Sequence, residues 1–315
     1  MSRHPLFKAY AALVSVCFFW GTTYLGIRMA LESFAPLVLV SARFLLSGSA
    51  LLLFARLRGW TIPQGRGMWK TMMTGVLILG VGNSALTYAE TRIPSGLAGL
   101  IITISPFWMV GLEALLPGGV RLHGPTMAGM GVGLAGAMLL LGPDIAGHSM
   151  NNHTLIGFLI LQVGMASWSF GSIYQRRQPV EAHAIVVGAL HQLAAGVAFL
   201  PLALVVPHDP IVWTTRGVGA LAYLVVFGSI VGYTSYAYIL EKLPVAMISV
   251  HSYVNSVVAV TLGWLVYREP FGWREGVAMA VIFAGVAIVK RYSVKTAPLG
   301  AIPSPVPSLP ALPRR

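Results

Sequence analysis

Arg43, Glu113 and His191 carry the most reactive chemistry in this chain, because each falls inside a long apolar run. A charged side chain at the centre of a bilayer costs about 2.5 to 3.5 kcal/mol on insertion scales, so such residues are kept for a reason. Arg43 can hold helix-end carbonyls or receive a substrate carboxylate. Glu113, read as deep in the fourth run and as the only carboxylate clearly inside one, is the candidate proton carrier, with a pairing to an arginine or a neighbouring helix as the alternative. His191 suits an interhelical hydrogen bond or, titrating near neutral pH, a proton-carrying role.

Two further sets of side chains could line a cavity. Asn83 with Thr87, Ser84 with Tyr88, and His251 with Asn255 are each four residues apart, so each pair shares one helix face. Such faces serve either a polar cavity or hydrogen bonding between helices. Trp20, Tyr24, Trp108, Trp168, Tyr233, Tyr236 and Tyr253 fall within apolar runs rather than only at their ends. Interfacial belts account for Trp60, Trp69, Trp213 and Trp273 but fit this mid-run group poorly. Aromatic walls with a few hydroxyl and amide groups suit an amphiphilic solute with a flat ring, since ring pairing adds about 0.5–1.5 kcal/mol beyond burial. No cofactor is expected: Cys17 is the single cysteine, His148 and His153 make no metal site, and no phosphate loop follows a strand.

The elements that must position these residues follow from composition. Of 315 residues, 56% are hydrophobic and 10% charged, against roughly 25% charged in soluble domains. The chain reads as an all-α membrane protein, and a soluble enzyme is excluded. Ten runs of about 20 apolar residues cover 10–29, 36–57, 69–89, 95–116, 125–141, 155–175, 184–206, 217–240, 246–267 and 273–289. The first outlasts a signal peptide and reads as an uncleaved helix. Most connections are short, so successive spans are antiparallel neighbours.

The net charge of +12 would suggest nucleic acid in a soluble protein, but its distribution reports topology. With the N-terminus in the cytoplasm, fifteen Lys and Arg fall inside and four outside, Arg28 and Arg43 lying within spans. Both termini are therefore expected in the cytoplasm of a bacterial inner membrane, with the loop from Gly142 to Thr154 outside. The partners expected are a small-molecule substrate and the lipid bilayer, without nucleic acid, and the chain is expected to be a monomer. Six prolines after Lys295 make residues 291–315 an extended, disordered tail.

A self-match divides the remainder. At an offset of 148, Trp20 falls on Trp168, Arg28 on Arg176, Leu45 on Leu193 and Gly48 on Gly196. At 150, Gly82 falls on Gly232, Tyr88 on Tyr238 and Pro94 on Pro244. Five spans per half make the repeat inverted, with residues 1–145 and 146–290 as the two five-helix units. Inverted repeats in secondary transporters place substrate near the midplane between halves that open alternately to each side.

Trp20-Gly21-Thr22-Thr23-Tyr24, Pro36 followed by Ala42-Arg43-Phe44, and Leu262-Gly263-Trp264 leading to Arg268-Glu269-Pro270 resemble the EamA type of the drug/metabolite transporter superfamily over residues 9 to 290. Within it the chain is most similar to the YddG type of amino-acid exporter, which implies export of aromatic amino acids and similar compounds. The first half departs from the pattern, having Leu116-Pro117-Gly118-Gly119 where the second keeps Arg268-Glu269-Pro270. The expected function is thus a secondary transporter exporting small amphiphilic metabolites, aromatic or other neutral amino acids first. Export of cationic drugs is the alternative, and a membrane-embedded enzyme the alternative of another class, for which Glu113, His191 and His251 are too scattered.

Overall fold

A computed structural model describes residues 7–117, 123–146, 152–178, 180–243 and 250–293. Counting each interrupted helix once, they form the runs α1 (Phe7–Ala30), α2 (Pro36–Leu57), α3 (Gly65–Ala89), α4 (Ser95–Leu115), α5 (Gly124–Ala146), α6 (Asn152–Arg177), α7 (Ala184–Val205), α8 (Thr215–Lys242), α9 (Val250–Tyr267) and α10 (Trp273–Ser293). The chain is an all-α, multi-pass membrane protein. Seven helices (α1 to α4 and α6 to α8) meet the length and hydropathy of a membrane span.

Local chemistry sets most boundaries. Pro36 opens α2, where its missing N–H is harmless, and Thr214 caps α8 by accepting from the Gly217 N–H at 3.0 Å. One boundary differs from expectation: α5 continues five residues past 141, through Gly142-Pro143, to Ala146. Pro143 cannot donate to the Leu139 carbonyl four residues back. Arg274 of α10 donates to that carbonyl instead, from Nε at 3.1 Å and Nη2 at 2.9 Å. The rest of the expected loop falls mostly on residues 147–151, outside the described residues, as do residues 294–315 of the tail.

Two helices carry wide turns at matching places. α3 is π-helical over Val76–Val81 and α8 over Leu224–Val231, and each stretch ends at a glycine, Gly82 or Gly232. A π stretch loosens the backbone ladder and leaves carbonyls for side chains. Ser167 Oγ accordingly donates to the Leu77 carbonyl at 2.8 Å and Trp20 Nε1 to the Gly228 carbonyl at 3.0 Å.

Small residues let the helices approach backbone to backbone, as association within a membrane favours. α2 packs along α7, and α5 along α10. The contacts are reciprocal. Gly48 lies against Leu193 while Gly196 lies against Leu45, and Trp168 covers Gly82 while Trp20 covers Gly232. Each of these exchanges the two positions that the internal self-match equates, which is the geometry of a two-fold relation.

The two ends of the bundle differ. Where α4 begins, the Glu269 carboxylate accepts the Ser95 and Gly96 N–H groups at 2.9 and 2.8 Å and the Ser95 hydroxyl at 2.8 Å. Arg28 Nε approaches it at 3.4 Å. On the same end Glu32 accepts from the Tyr267 hydroxyl and pairs with Arg216 at 3.4 Å, and both Arg28 and Arg216 lie over the Tyr267 ring. The first part of α4, Ser95–Ile102, buries six of its eight residues, whereas its second part, Ser105–Leu115, buries none. Along α4, the half at the Glu269 end is therefore the more buried, although Pro94, Leu97, Val260 and Glu269 line a cavity there.

Candidate functional site

The aromatic group assembles around Trp20, which α1 holds by the bond from its Nε1 to Gly228. Trp168 stands perpendicular to it at 6.3 Å, Tyr236 lies at 4.9 Å and His251 at 5.5 Å. Tyr236 and His251 are themselves near-parallel at 5.7 Å, and Tyr233 extends the group at 6.4 Å from Tyr236. Five rings from four helices thus meet. Trp20, Trp168, Tyr236 and His251 are half-buried.

Hydrogen bonds fix the rear of this group. His191 Nδ1 and the Tyr233 hydroxyl are 2.6 Å apart, making His191 the interhelical partner that one of its two readings describes. Arg43 Nε donates to Ser229 Oγ at 2.8 Å, and Gln192 Nε2 to the Ser229 carbonyl at 3.5 Å. Both acceptors sit on the π stretch of α8. Arg43 is 7% exposed and lies in no ion pair among the described residues.

Other expected residues stand elsewhere. Trp108 Nε1 donates to Gln162 at 2.9 Å, tying α4 to α6. Tyr253 meets Phe283 edge-on at 5.0 Å and makes no ring contact with Trp20 or Tyr236. In the orientation that satisfies its neighbours, the Asn255 amide donates to the carbonyls of His251 at 3.0 Å and Cys17 at 2.7 Å, so it joins α9 to α1. Thr87 spends its hydroxyl on the Asn83 carbonyl of its own helix. Ser84 is buried without a partner for its hydroxyl, while Asn83 and Tyr88 are half-buried. Tyr24 is buried in the core beside Ala89, Ala98 and Leu100.

Glu113 requires a correction. It is not deep, standing two residues from the end of α4, and its alternative, a pairing with an arginine, is the one observed: Arg176 lies at 3.3 Å, the two side chains being 34% and 53% exposed. Among the described residues the buried carboxylates are Glu269 and Glu90, each just beyond the end of an expected span. Glu90 follows the last turn of α3, is 3% exposed, and neither of its oxygens has a hydrogen-bond partner. Burial pushes its carboxyl well above the usual carboxylate range; Arg28 pulls it down, Glu269 pushes it further up, and Arg43 pulls it down. A signal was available, because Asn83, Thr87 and Glu90 continue one polar face at helical spacing. Among the described residues, no three His, Cys, Asp or Glu side chains group as metal ligands.

A multi-pass helical bundle with an aromatic, sparsely charged interior is suited to carrying a solute. The sequence profile of the EamA-like transporter family matches residues 7–142 and again 155–291, and the chain belongs to that family. It is 32% identical, over 92% of each chain, to the "Uncharacterized inner membrane transporter YedA" of Escherichia coli K12. It is 25% identical, over 91% of this chain and 94% of the other, to the "Probable terminal-alkyne amino-acid exporter" of Streptantibioticus cattleyicolor. One solved crystal structure, at 21% identity, shares the fold with a TM-score of 0.64, covering 91% of this chain and 98% of that one. The protein is accordingly a secondary transporter of small metabolites in the bacterial inner membrane, and not an enzyme.

Proposed function

We propose that the chain exports aromatic and other neutral amino acids by alternating access, through a cavity lined by Trp20, Trp168, Tyr233, Tyr236 and His251. The observation that carries this reading is the cluster of five half-buried or buried rings from four helices, backed by Arg43 and His191. The amino-acid exporter among the relatives supports the substrate class, and the ring cluster supports the narrower kinship with YddG-type exporters. Cationic drugs suit the site less, because among the described residues no carboxylate forms a hydrogen bond or ion pair with the ring cluster.

The working architecture is ten spans in two inverted five-helix units, residues 1–145 and 146–290. The reciprocal contacts of Gly48 and Gly196 and of Trp20 and Trp168 support it, as do the twin π stretches and the double match of the family profile. With both termini in the cytoplasm, the end that carries Glu269 faces outward and the end that carries Glu113 faces the cell interior. A single polypeptide holds both halves, so the site needs no second copy.

Proteoliposomes holding the purified chain and a panel of neutral, cationic and anionic solutes test the function. Ring-bearing amino acids should pass, and Trp168→Ala should slow them several-fold more than small aliphatic ones, since only the former lose ring contacts. Inertness toward the whole panel defeats the reading, and equal loss for both classes reduces Trp168 to packing. The topology has its own test. In a Cys17→Ser background, a cysteine at Ser149 should react with an impermeant maleimide in intact cells and one at Ser304 should not; labelling of Ser304 from outside reverses the orientation.

A further inference from the structure

The cavity beside Glu269 stands apart from the ring cluster. It measures about 230 Å³ and lies where α4 and α10 begin and α9 ends, and none of the five cluster rings lines it. Its walls divide by chemistry. Pro94, Leu97 and Leu100 recur along one face of α4 and, with Val260 of α9, form an apolar slot. Six residues of helix carry that slot inward by about 9 Å. Arg274 and Glu275, in the first turn of α10, supply charge at the end of the spans.

Both charges are held in place, yet neither is spent. The Leu139 carbonyl takes Arg274 Nε and Nη2 and so fixes the guanidinium plane. Among the described residues Arg274 forms no ion pair, and its Nη1 donates to nothing. Glu275 accepts the Gly272 N–H on Oε2 at 2.8 Å, and its Oε1 accepts nothing among the same residues. Glu269, the third charged group of the wall, is committed to Ser95, Gly96 and Arg28. Around the cavity the surface is apolar: Phe271, which lines it, and Trp264, Leu265 and Val266 in the last turns of α9 are exposed. In a multi-pass protein such a surface faces the bilayer.

We propose that this cavity binds a phospholipid whose head group carries a phosphate and a primary ammonium, the phosphate on the free edge of Arg274, the ammonium on Glu275, and the start of an acyl chain in the slot beside Leu97 and Val260. Charge at the span ends with apolar side chains inward is the order of a lipid in its leaflet. Both polar contacts are charge-assisted hydrogen bonds, and phosphate suits the planar guanidinium. An anionic head group would set its excess charge against Glu269 and Glu275. A quaternary ammonium has no N–H to give a carboxylate, and a soluble zwitterion would leave the slot unfilled.

Native mass spectrometry of the full chain in detergent, titrated with dioleoyl phosphatidylethanolamine, phosphatidylcholine or phosphatidylglycerol, tests it. The ethanolamine lipid should bind roughly tenfold more tightly than the other two, the worth of one charge-assisted bond. Glu275→Gln, whose amide oxygen still accepts from Gly272, should bring it down to the choline lipid. Arg274→Gln should weaken the ethanolamine and choline lipids alike, and Arg274→Lys, which keeps the charge, should lose less and covers the case in which Arg274→Gln fails to fold. Leu97→Trp fills the slot without touching the charges and should weaken all three lipids. Glycerophosphoethanolamine, the head group without acyl chains, should bind at least tenfold more weakly than the intact lipid; equal affinity gives the cavity to a soluble solute and overturns the proposal. Equal binding of the three lipids by the wild type also overturns it. So does an ethanolamine preference that survives both Glu275→Gln and Leu97→Trp, because the lipid then sits elsewhere.

Discussion

Glu269→Ala should cost about 3–5 kcal/mol of stability, the range found when one partner of a buried ionic cluster is removed. The carboxylate is 7% exposed and answers two free N–H groups at the start of α4 together with the Ser95 hydroxyl. The first turn of a helix has no internal partners for its donors, and its dipole favours negative charge. Arg28 is about one third exposed, so solvent screens its share, and most of the loss comes from the orphaned backbone donors. Glu269→Gln should cost less, because one amide oxygen still accepts while its NH2 faces donors. Thermal unfolding of the detergent-solubilised protein measures both variants. A loss below about 1 kcal/mol for Glu269→Ala would mean that the start of α4 does not depend on this carboxylate.

How much of this was legible beforehand divides along physical lines. The α2 limits are those expected, 36 to 57, because proline marks one end and the basic loop the other. Of the seven aromatics within apolar runs, Trp20, Trp168, Tyr233 and Tyr236 converge and His251, from a polar pair, joins them, whereas Tyr24, Trp108 and Tyr253 pack elsewhere. Tyr253 and Asn255 share a helix with His251, but rotation about the α9 axis turns them toward Phe283 and Cys17. Spacing within one helix cannot say which neighbour each face meets. Glu113 looked deep because its apolar run was counted from the sequence, whereas its partner Arg176 comes from another helix. Glu90 and Glu269 were missed for the opposite reason. Charge beside a span reads as loop, and only the packing of that end of the bundle buries them.

Gly75→Ala should destabilise the protein by about 2–3 kcal/mol, the upper part of the range for overpacking, while Gly219→Ala should stabilise it by about 0.4–1 kcal/mol. Both glycines lie in helices, so propensity alone favours alanine at each. The surroundings decide the sign. A Cβ at Gly75 runs into the His191 backbone, its Cα and carbonyl, where α3 crosses α7, whereas nothing lies within 4 Å of one at Gly219. A flexible side chain could swing aside, but a backbone inside a helix cannot, so α7 itself must shift. His191 would move with it and stretch the 2.6 Å contact with Tyr233, which helps fix the ring cluster. Gly75 also immediately precedes the π stretch of α3, the least regular part of that helix and the place where a shift would be absorbed. Gly75→Ala should therefore slow ring-bearing substrates even at temperatures where the variant stays folded, and Gly219→Ala should leave transport unchanged. Unfolding midpoints and phenylalanine flux measured side by side decide the matter. Two variants of equal stability would show that the α3–α7 crossing has more slack than its backbone contact implies.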